Sequence, residues 1–201
     1  MTKNTGTSFE DRVFKIIQKF IQEDAFMLSN PNLRVFRNKS YFSKDRNAQI
    51  KFDISVEKYM MDPDSSNDIR PSIIVIIECK DYSKNVPVDD VEEFHSKLQQ
   101  IGSDNTKGII ITSKTAFQRA ALSYAEAKGI ALARIKPYPD NMEYIAYQMI
   151  PGAAEEYAAQ NTISALTQKE FELKNGDFFS STGAVWFEDL FCDLLDVAYI
   201  G

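Results

Sequence analysis

Apolar residues recur along this chain with two periods, and the periods divide it into elements. Phe9, Val13, Ile16, Ile17, Phe20 and Ile21 fall at helical spacing and predict an amphipathic helix over about 7–24. Thr7 or Ser8 is placed to cap it, with Glu10 and Asp11 in its first turn. Asn30-Pro31-Asn32 marks a turn, and Leu33, Val35 and Phe36 predict a first strand. Ile50, Phe52, Ile54 and Val56 alternate with Lys51, Asp53, Ser55 and Glu57, the pattern of a strand with one buried and one polar face. Residues 61–71 are a polar loop. The run Ile73–Ile77 is short and β-branched, as in a central strand covered on both faces, and it leads directly into Glu78-Cys79-Lys80. Val88, Val91, Phe94, Leu98 and Ile101 predict a second helix, Gly108–Ser113 another buried strand, residues 115–127 a third helix closed by Gly129, and Ile130–Ile135 a further strand. The order α-β-β-β-α-β-α-β predicts an α/β domain with a mixed central sheet flanked by helices.

Beyond Pro137 the character changes. Residues 152–166 read as helix and 174–183 as loop. Residues 184–198 read as a final helix, with Trp186, Leu190, Phe191, Leu194 and Val197 apolar. Charge divides at the same place. Residues 1–137 hold 21 lysines and arginines against 18 acids, whereas residues 138–201 hold 2 against 11. The expected organisation is therefore a domain over 1–137 and an acidic, mainly helical extension over 138–201, which either packs back on the domain or docks a protein partner. Within the first part, Arg34, Arg37, Lys39, Lys44, Arg46 and Lys51 are opposed only by Asp45. Such a stripe either holds a polyanion or solubilises a sheet edge. No apolar run approaches the roughly 20 residues of a membrane span, and the first residues carry no signal core. Two distant cysteines and a single histidine leave no disulfide framework and no multi-histidine metal centre, so a cytoplasmic setting is expected. Catalysis must run on carboxylates, lysines or hydroxyls.

The chemistry concentrates at the end of the Ile73–Ile77 strand. Alternate strand residues share a face, so Glu78 and Lys80 project together while Cys79 faces the core. If the strand carrying Asp53 lies alongside, Asp53 and Glu78 meet with Lys80 beside them. Two carboxylates suit Mg²⁺, which keeps several waters and shares its remaining positions with phosphate. A nearby lysine orients a water or compensates charge in the transition state. The plainer alternative is a strand emerging into solvent with an edge salt bridge. Glu57 lies on the same face as Asp53, about 13 Å on at ~3.3 Å per residue, too far to share an ion.

These residues carry a resemblance. Ser8-Phe9-Glu10, Tyr41–Arg46, Ile50–Glu57, Ile77-Glu78-Cys79-Lys80, Val86–Val91 and Lys107–Ser113 with Phe117 and Ala120 together resemble the PD-(D/E)xK nuclease superfamily, and most closely its Mrr-like restriction endonuclease branch, over about residues 6–136. The resemblance implies a restriction-endonuclease-like fold and a divalent-metal-dependent endonuclease hydrolysing phosphodiester bonds in DNA, in bacterial defence. It implies that Asp53 and Glu78 bind Mg²⁺ (Mn²⁺ as substitute), that Lys80 assists water attack, and that Glu10 completes the site. Phe52 stands where the superfamily's name has proline. Glu78 stands where Mrr proteins often carry glutamine, and it is the wider superfamily's choice. Lys39, Lys44, Arg46, Lys51, Lys84, Gln118 and Arg119 are candidate contacts to double-stranded DNA, with Tyr41 and Phe42 available for stacking. Cutting both strands favours a homodimer. A non-cleaving nuclease-fold module for nucleic-acid binding or assembly, and an RNA substrate, remain open alternatives.

Overall fold

The computed structural model describes residues 5–22, 32–65, 69–136, 153–174, 177–184 and 187–195. The Asn30-Pro31 turn, the end of the first helix beyond Gln22, residues 66–68 of the polar loop, the whole of 137–152 and the flanks of the last helix (Trp186 and Val197 among them) lie outside the described residues.

Helix α1 (Thr5–Gln22) is followed by β1 (Leu33–Arg37), β2 (Ser40–Ser43), β3 (Ala48–Lys51), β4 (Ile54–Lys58) and β5 (Ile73–Lys80). Then come α2 (Val88–Gly102), β6 (Thr106–Thr112), α3 (Arg119–Lys128), β7 (Ile130–Ile135), α4 (Ala153–Thr167), β8 (Phe178–Ser180) and α5 (Phe187–Leu195). The main sheet runs β1-β4-β5-β6-β7-β8, with β5, β6 and β7 parallel and the other pairings antiparallel. β2 and β3 form a separate hairpin. The fold is a mixed α/β sheet between helices, as the hydrophobic pattern predicts, and it is restriction-endonuclease-like. α1 already includes Thr5, so Thr7 and Ser8 lie inside the helix and not ahead of it.

Two core layers sandwich the sheet. Phe9, Val13 and Ile17 of α1 and Leu190 of α5 pack against Val56, Val75, Ile77 and Ile109 on one face. Val91 and Phe94 of α2, Ala121 of α3 and Leu166 of α4 pack against Ile74, Ile76 and Ile110 on the other. α2 approaches β6 closely because Gly108 has no side chain: an added Cβ would meet Leu98 Cδ1 and lie 2.8 Å from Phe94 Cε1. α3 ends as predicted at Gly129, whose φ of 65° is the left-handed conformation that glycine adopts without strain, its N–H capping Ala125 and Glu126 carbonyls.

The pattern misleads in three places. Ile50–Glu57 is not one strand. Ile50 and Phe52 enter the second core layer while Ile54 and Val56 enter the first, and a single alternating strand cannot do both. The chain breaks at Phe52-Asp53, giving β3 to the hairpin and β4 to the main sheet. The polar face of β4 is also buried, with Ser55 and Glu57 no more than 1% exposed. Third, the stretch expected as loop at 174–183 contains β8, which pairs with β7 through Ala133↔Ser180 and Arg134↔Phe179.

Cations of the basic half hold the acidic half by its main chain. Arg134, buried in β7, donates to the carbonyls of Ala165 (2.8 Å) and Gln168 (3.1 Å) at the end of α4. Lys136 donates to Leu173 O and Lys58 to Leu195 O, each at 2.8 Å. Carbonyls at a helix C-terminus lack intrahelical partners and carry the negative end of the dipole, so those ending α4 and α5 suit Arg134 and Lys58.

Gly108→Ala is expected to lower unfolding free energy by about 1–3 kcal/mol through overpacking under Phe94 and Leu98. Urea denaturation measures this, and a variant as stable as the parent would mean that α2 lifts off β6 at no cost.

Candidate active site

Antiparallel pairing of β4 with β5 sets the site. The register pairs Ile54 with Ile77, so one step further it places Asp53 opposite Glu78. Asp53 Oδ2 accepts the Cys79 N–H at 2.8 Å, which pins the carboxylate to the end of β5. The backbone carbonyl of Asp53 accepts the N–H of Asn38, tying the same residue to the β1–β2 connection. Asn38 itself has a φ of 56°, a conformation asparagine tolerates better than most residues. Lys80 Nζ donates to Glu78 Oε1 at 3.1 Å and lies 3.8 Å from Asp90 Oδ2. Glu78 and Lys80 are each only 14% exposed.

The charges are strained against one another. Burial and the neighbouring Glu78 push Asp53 up to about 6, with Glu10 adding to the effect and the Cys79 N–H and Lys80 opposing it. Burial pulls the Lys80 ammonium down, but Glu78, by charge and by hydrogen bond, with Tyr82 and Asp90, more than offsets it, so Lys80 stays above the ordinary lysine value. Lys80 is therefore a cation and a hydrogen-bond donor. Cys79 packs with the α1 core layer, and burial followed by the acids around it raises its thiol, which makes it a core residue and no nucleophile.

Glu10 is placed differently. Burial, together with Asp11 and Glu78, raises its carboxyl despite Arg37. Arg37 pairs closely with Asp11 and lies 3.8 Å from Glu10. Among the described residues no three acidic, cysteine or histidine side chains gather tightly enough to hold an ion together, while the charge of Glu10 is felt at Asp53. The two-carboxylate set nevertheless fits a divalent cation such as Mg²⁺, which needs one or two protein carboxylates and takes its other ligands from water and phosphate. Two apposed carboxylates, one of them resisting ionisation, are the donor set that such an ion relieves.

The basic stripe separates into two groups. Arg34 pairs with Asp62 and Asp64, Arg37 with the acids of α1, and Lys39 with buried Glu57 at 2.6 Å. Lys39 is thus engaged inside the protein. Lys44, Arg46 and Lys51 are exposed on the hairpin and make no ion pair among the described residues. Lys84 and Gln118 line an open cleft of ≈ 650 Å³ beyond Lys80, with Asp81, Tyr82 and Asn85, and exposed Arg119 opens α3 next to it.

Two features escape sequence reasoning. Asp90, in the first turn of α2, flanks Lys80 opposite Glu78. Its only sequence signal is an acid at a helix start. Glu57 accepts hydrogen bonds from Lys39, from Tyr41 Oη (2.7 Å) and from Tyr59 Oη, a fully partnered buried carboxylate that anchors the hairpin to β4. His95 is half-buried against the Tyr124 hydroxyl at 3.2 Å.

Residues 42–136, a little under half of the chain, match the family model described as restriction endonuclease, the Mrr catalytic domain. This stretch is similar to the Mrr-like restriction endonucleases. The restriction endonuclease domain so defined contains Asp53, Glu78 and Lys80, while Glu10 and Lys39 lie ahead of it. No curated protein matches the chain. No described helix is long and apolar enough to cross a membrane.

Because the folded state holds the Asp53 proton more tightly than the unfolded chain does, this group's stabilising contribution is complete below about pH 4 and is lost as pH rises through about 6. In EDTA, Asp53→Asn should flatten that part of the pH–stability profile. It should also be more stable than the parent at pH 7.5, by roughly 1–2 kcal/mol once solvent screening is allowed for. Urea melts from pH 5 to 8 test this, and a less stable variant at pH 7.5 would refute the apposed-carboxylate picture.

Proposed function

We propose that the protein is a divalent-metal-dependent endonuclease that hydrolyses phosphodiester bonds in double-stranded DNA, in a defence or restriction role. The observation that carries this reading is the apposition of Asp53 and Glu78 beside a protonated Lys80 inside a restriction endonuclease domain. Asp53 and Glu78 would hold Mg²⁺, with Mn²⁺ as substitute. Such an ion supplies positive charge to the scissile phosphate and acidity to an attacking water.

This chain's own residues supply the rest. The Cys79 N–H fixes the Asp53 carboxylate, so its position is set before any ligand arrives. Glu78 and Asp90 hold the Lys80 ammonium between them. From there Lys80 donates a hydrogen bond to the water or to a non-bridging phosphate oxygen, and its charge offsets the negative charge that builds up as the phosphorus adds a fifth oxygen. Glu10 would support the ion directly or through a water. The cleft lined by Lys84 and Gln118 continues from Lys80 and gives the phosphate backbone a path past it. Breaking both strands takes two sites, which a homodimer supplies.

Nicking of supercoiled plasmid is the test. Cutting should need Mg²⁺ or Mn²⁺ and stop with EDTA. Lys80→Ala should lower the rate at least ~100-fold while duplex binding persists. Undiminished cutting by Lys80→Ala, or cutting without metal, would overturn the mechanism. DNA binding without cutting under any metal would favour the non-cleaving module, and cutting confined to RNA would overturn the choice of substrate.

A further inference from the structure

The hairpin β2–β3 stands outside the main sheet, and its two faces differ. Tyr41, Ser43 and Ile50 face the body: Tyr41 Oη reaches Glu57, its ring packs edge-on against Phe52 with centroids 6.0 Å apart, and Ser43 Oγ donates to Gln100 Oε1 on α2 at 3.0 Å. The other face carries Phe42, directly opposite Gln49, and Lys51, opposite Ser40. All four are exposed, Phe42 at 53%. The turn joining the strands adds Lys44 and Arg46 beside a single acid, Asp45, and Asn47 takes the left-handed conformation that closes it. A large exposed aromatic ring on a hairpin whose three cations form no ion pair among the described residues is unfavourable in water and favourable against a stacked polyanion. The inner face is anchored to the body through Glu57 and Gln100, so the outer face is presented rigidly. β3 leads through Phe52 straight to Asp53, and the positive charge of Lys51 is felt at Glu10. The hairpin therefore adjoins the metal-binding carboxylates.

We infer that the outer face of the β2–β3 hairpin is the DNA-gripping arm of the domain, with Lys44, Arg46 and Lys51 on the phosphates and Phe42 packed against a base or sugar next to the scissile bond. This rests on the reading of the domain as a DNA endonuclease and sharpens it. Of the six basic residues between 34 and 51, three are consumed by internal pairs, and the three on the hairpin do the binding. The chemistry favours a nucleic acid over a protein partner, because the patch joins three exposed cations, against one acid in the turn, to one flat apolar ring.

The test uses the full chain in a Lys80→Ala background with Mg²⁺ present, so that the duplex survives, and measures fluorescence anisotropy with a labelled 30-base-pair duplex over a KCl series. Replacing Lys44, Arg46 and Lys51 together by alanine should reduce the slope of log affinity against log salt by roughly 2–3, since each phosphate contact contributes about 0.9. Phe42→Ala should weaken binding about 5- to 100-fold with the slope unchanged, as loss of one stacking contact does. Phe42→Trp should restore affinity, and its added fluorescence should be quenched by the duplex. Lys107→Ala, at the opposite end of the sheet, serves as control and should bind as the parent does. Parental binding by both the Phe42→Ala and triple variants would overturn the inference while leaving the endonuclease reading intact. A Phe42→Ala variant with full affinity beside a weakened triple variant would overturn the aromatic contact. Tighter, Phe42-dependent binding of single-stranded RNA would overturn DNA as occupant. Absence of duplex binding in the parent, with no plasmid nicking by the wild-type chain, would bring down both.

Discussion

Two negative groups are held together where water is scarce, and much of this domain's architecture exists to keep them there. The β4–β5 register sets Asp53 against Glu78, and the Cys79 N–H fixes the aspartate at 2.8 Å. Lys80 compensates only part of the repulsion, because it is committed to Glu78 and lies near Asp90. The site is preorganised for a cation at the expense of the unliganded state. Burial on both faces of the sheet makes this tolerable: Val75, Ile76 and Ile77, wholly buried, leave β5 no freedom to swing the glutamate away.

The centre of this arrangement was legible in the residues. An apolar β-branched run ending in Glu-Cys-Lys, and an Asp on an alternating segment upstream, predict a shared face from period-two geometry alone. What remained illegible is non-local. Alternation assigns charged positions to solvent, so Glu57 reads as exposed, whereas Lys39, Tyr41 and Tyr59 converge on it from 18, 16 and 2 residues away and make its burial possible. The hairpin was missed for a related reason: four-residue strands with mostly polar, exposed positions carry almost no periodic signal. Glu10 was identified through resemblance, which says which residue types recur and not how they are oriented. Its neighbours Arg37 and Asp11 decide that.

The split in charge between the two parts of the chain has a structural counterpart, though a different one from the composition. Main-chain oxygens meet the basic half: Arg134, Lys136 and Lys58 each donate to carbonyls of the α4–α5 region, contacts that do not depend on which acids that region carries.

Arg134 has one further consequence. Arg134 is 3% exposed, and its acceptors include Ala165 and Gln168, well beyond the last residue of the family match at 136. A protein trimmed to the matched segment would leave this cation only the Ser113 carbonyl and bare the flank of β7 that β8 now covers, an open edge inviting intermolecular strand addition. The segment that matches the family is thus smaller than the packed unit that satisfies its own buried groups.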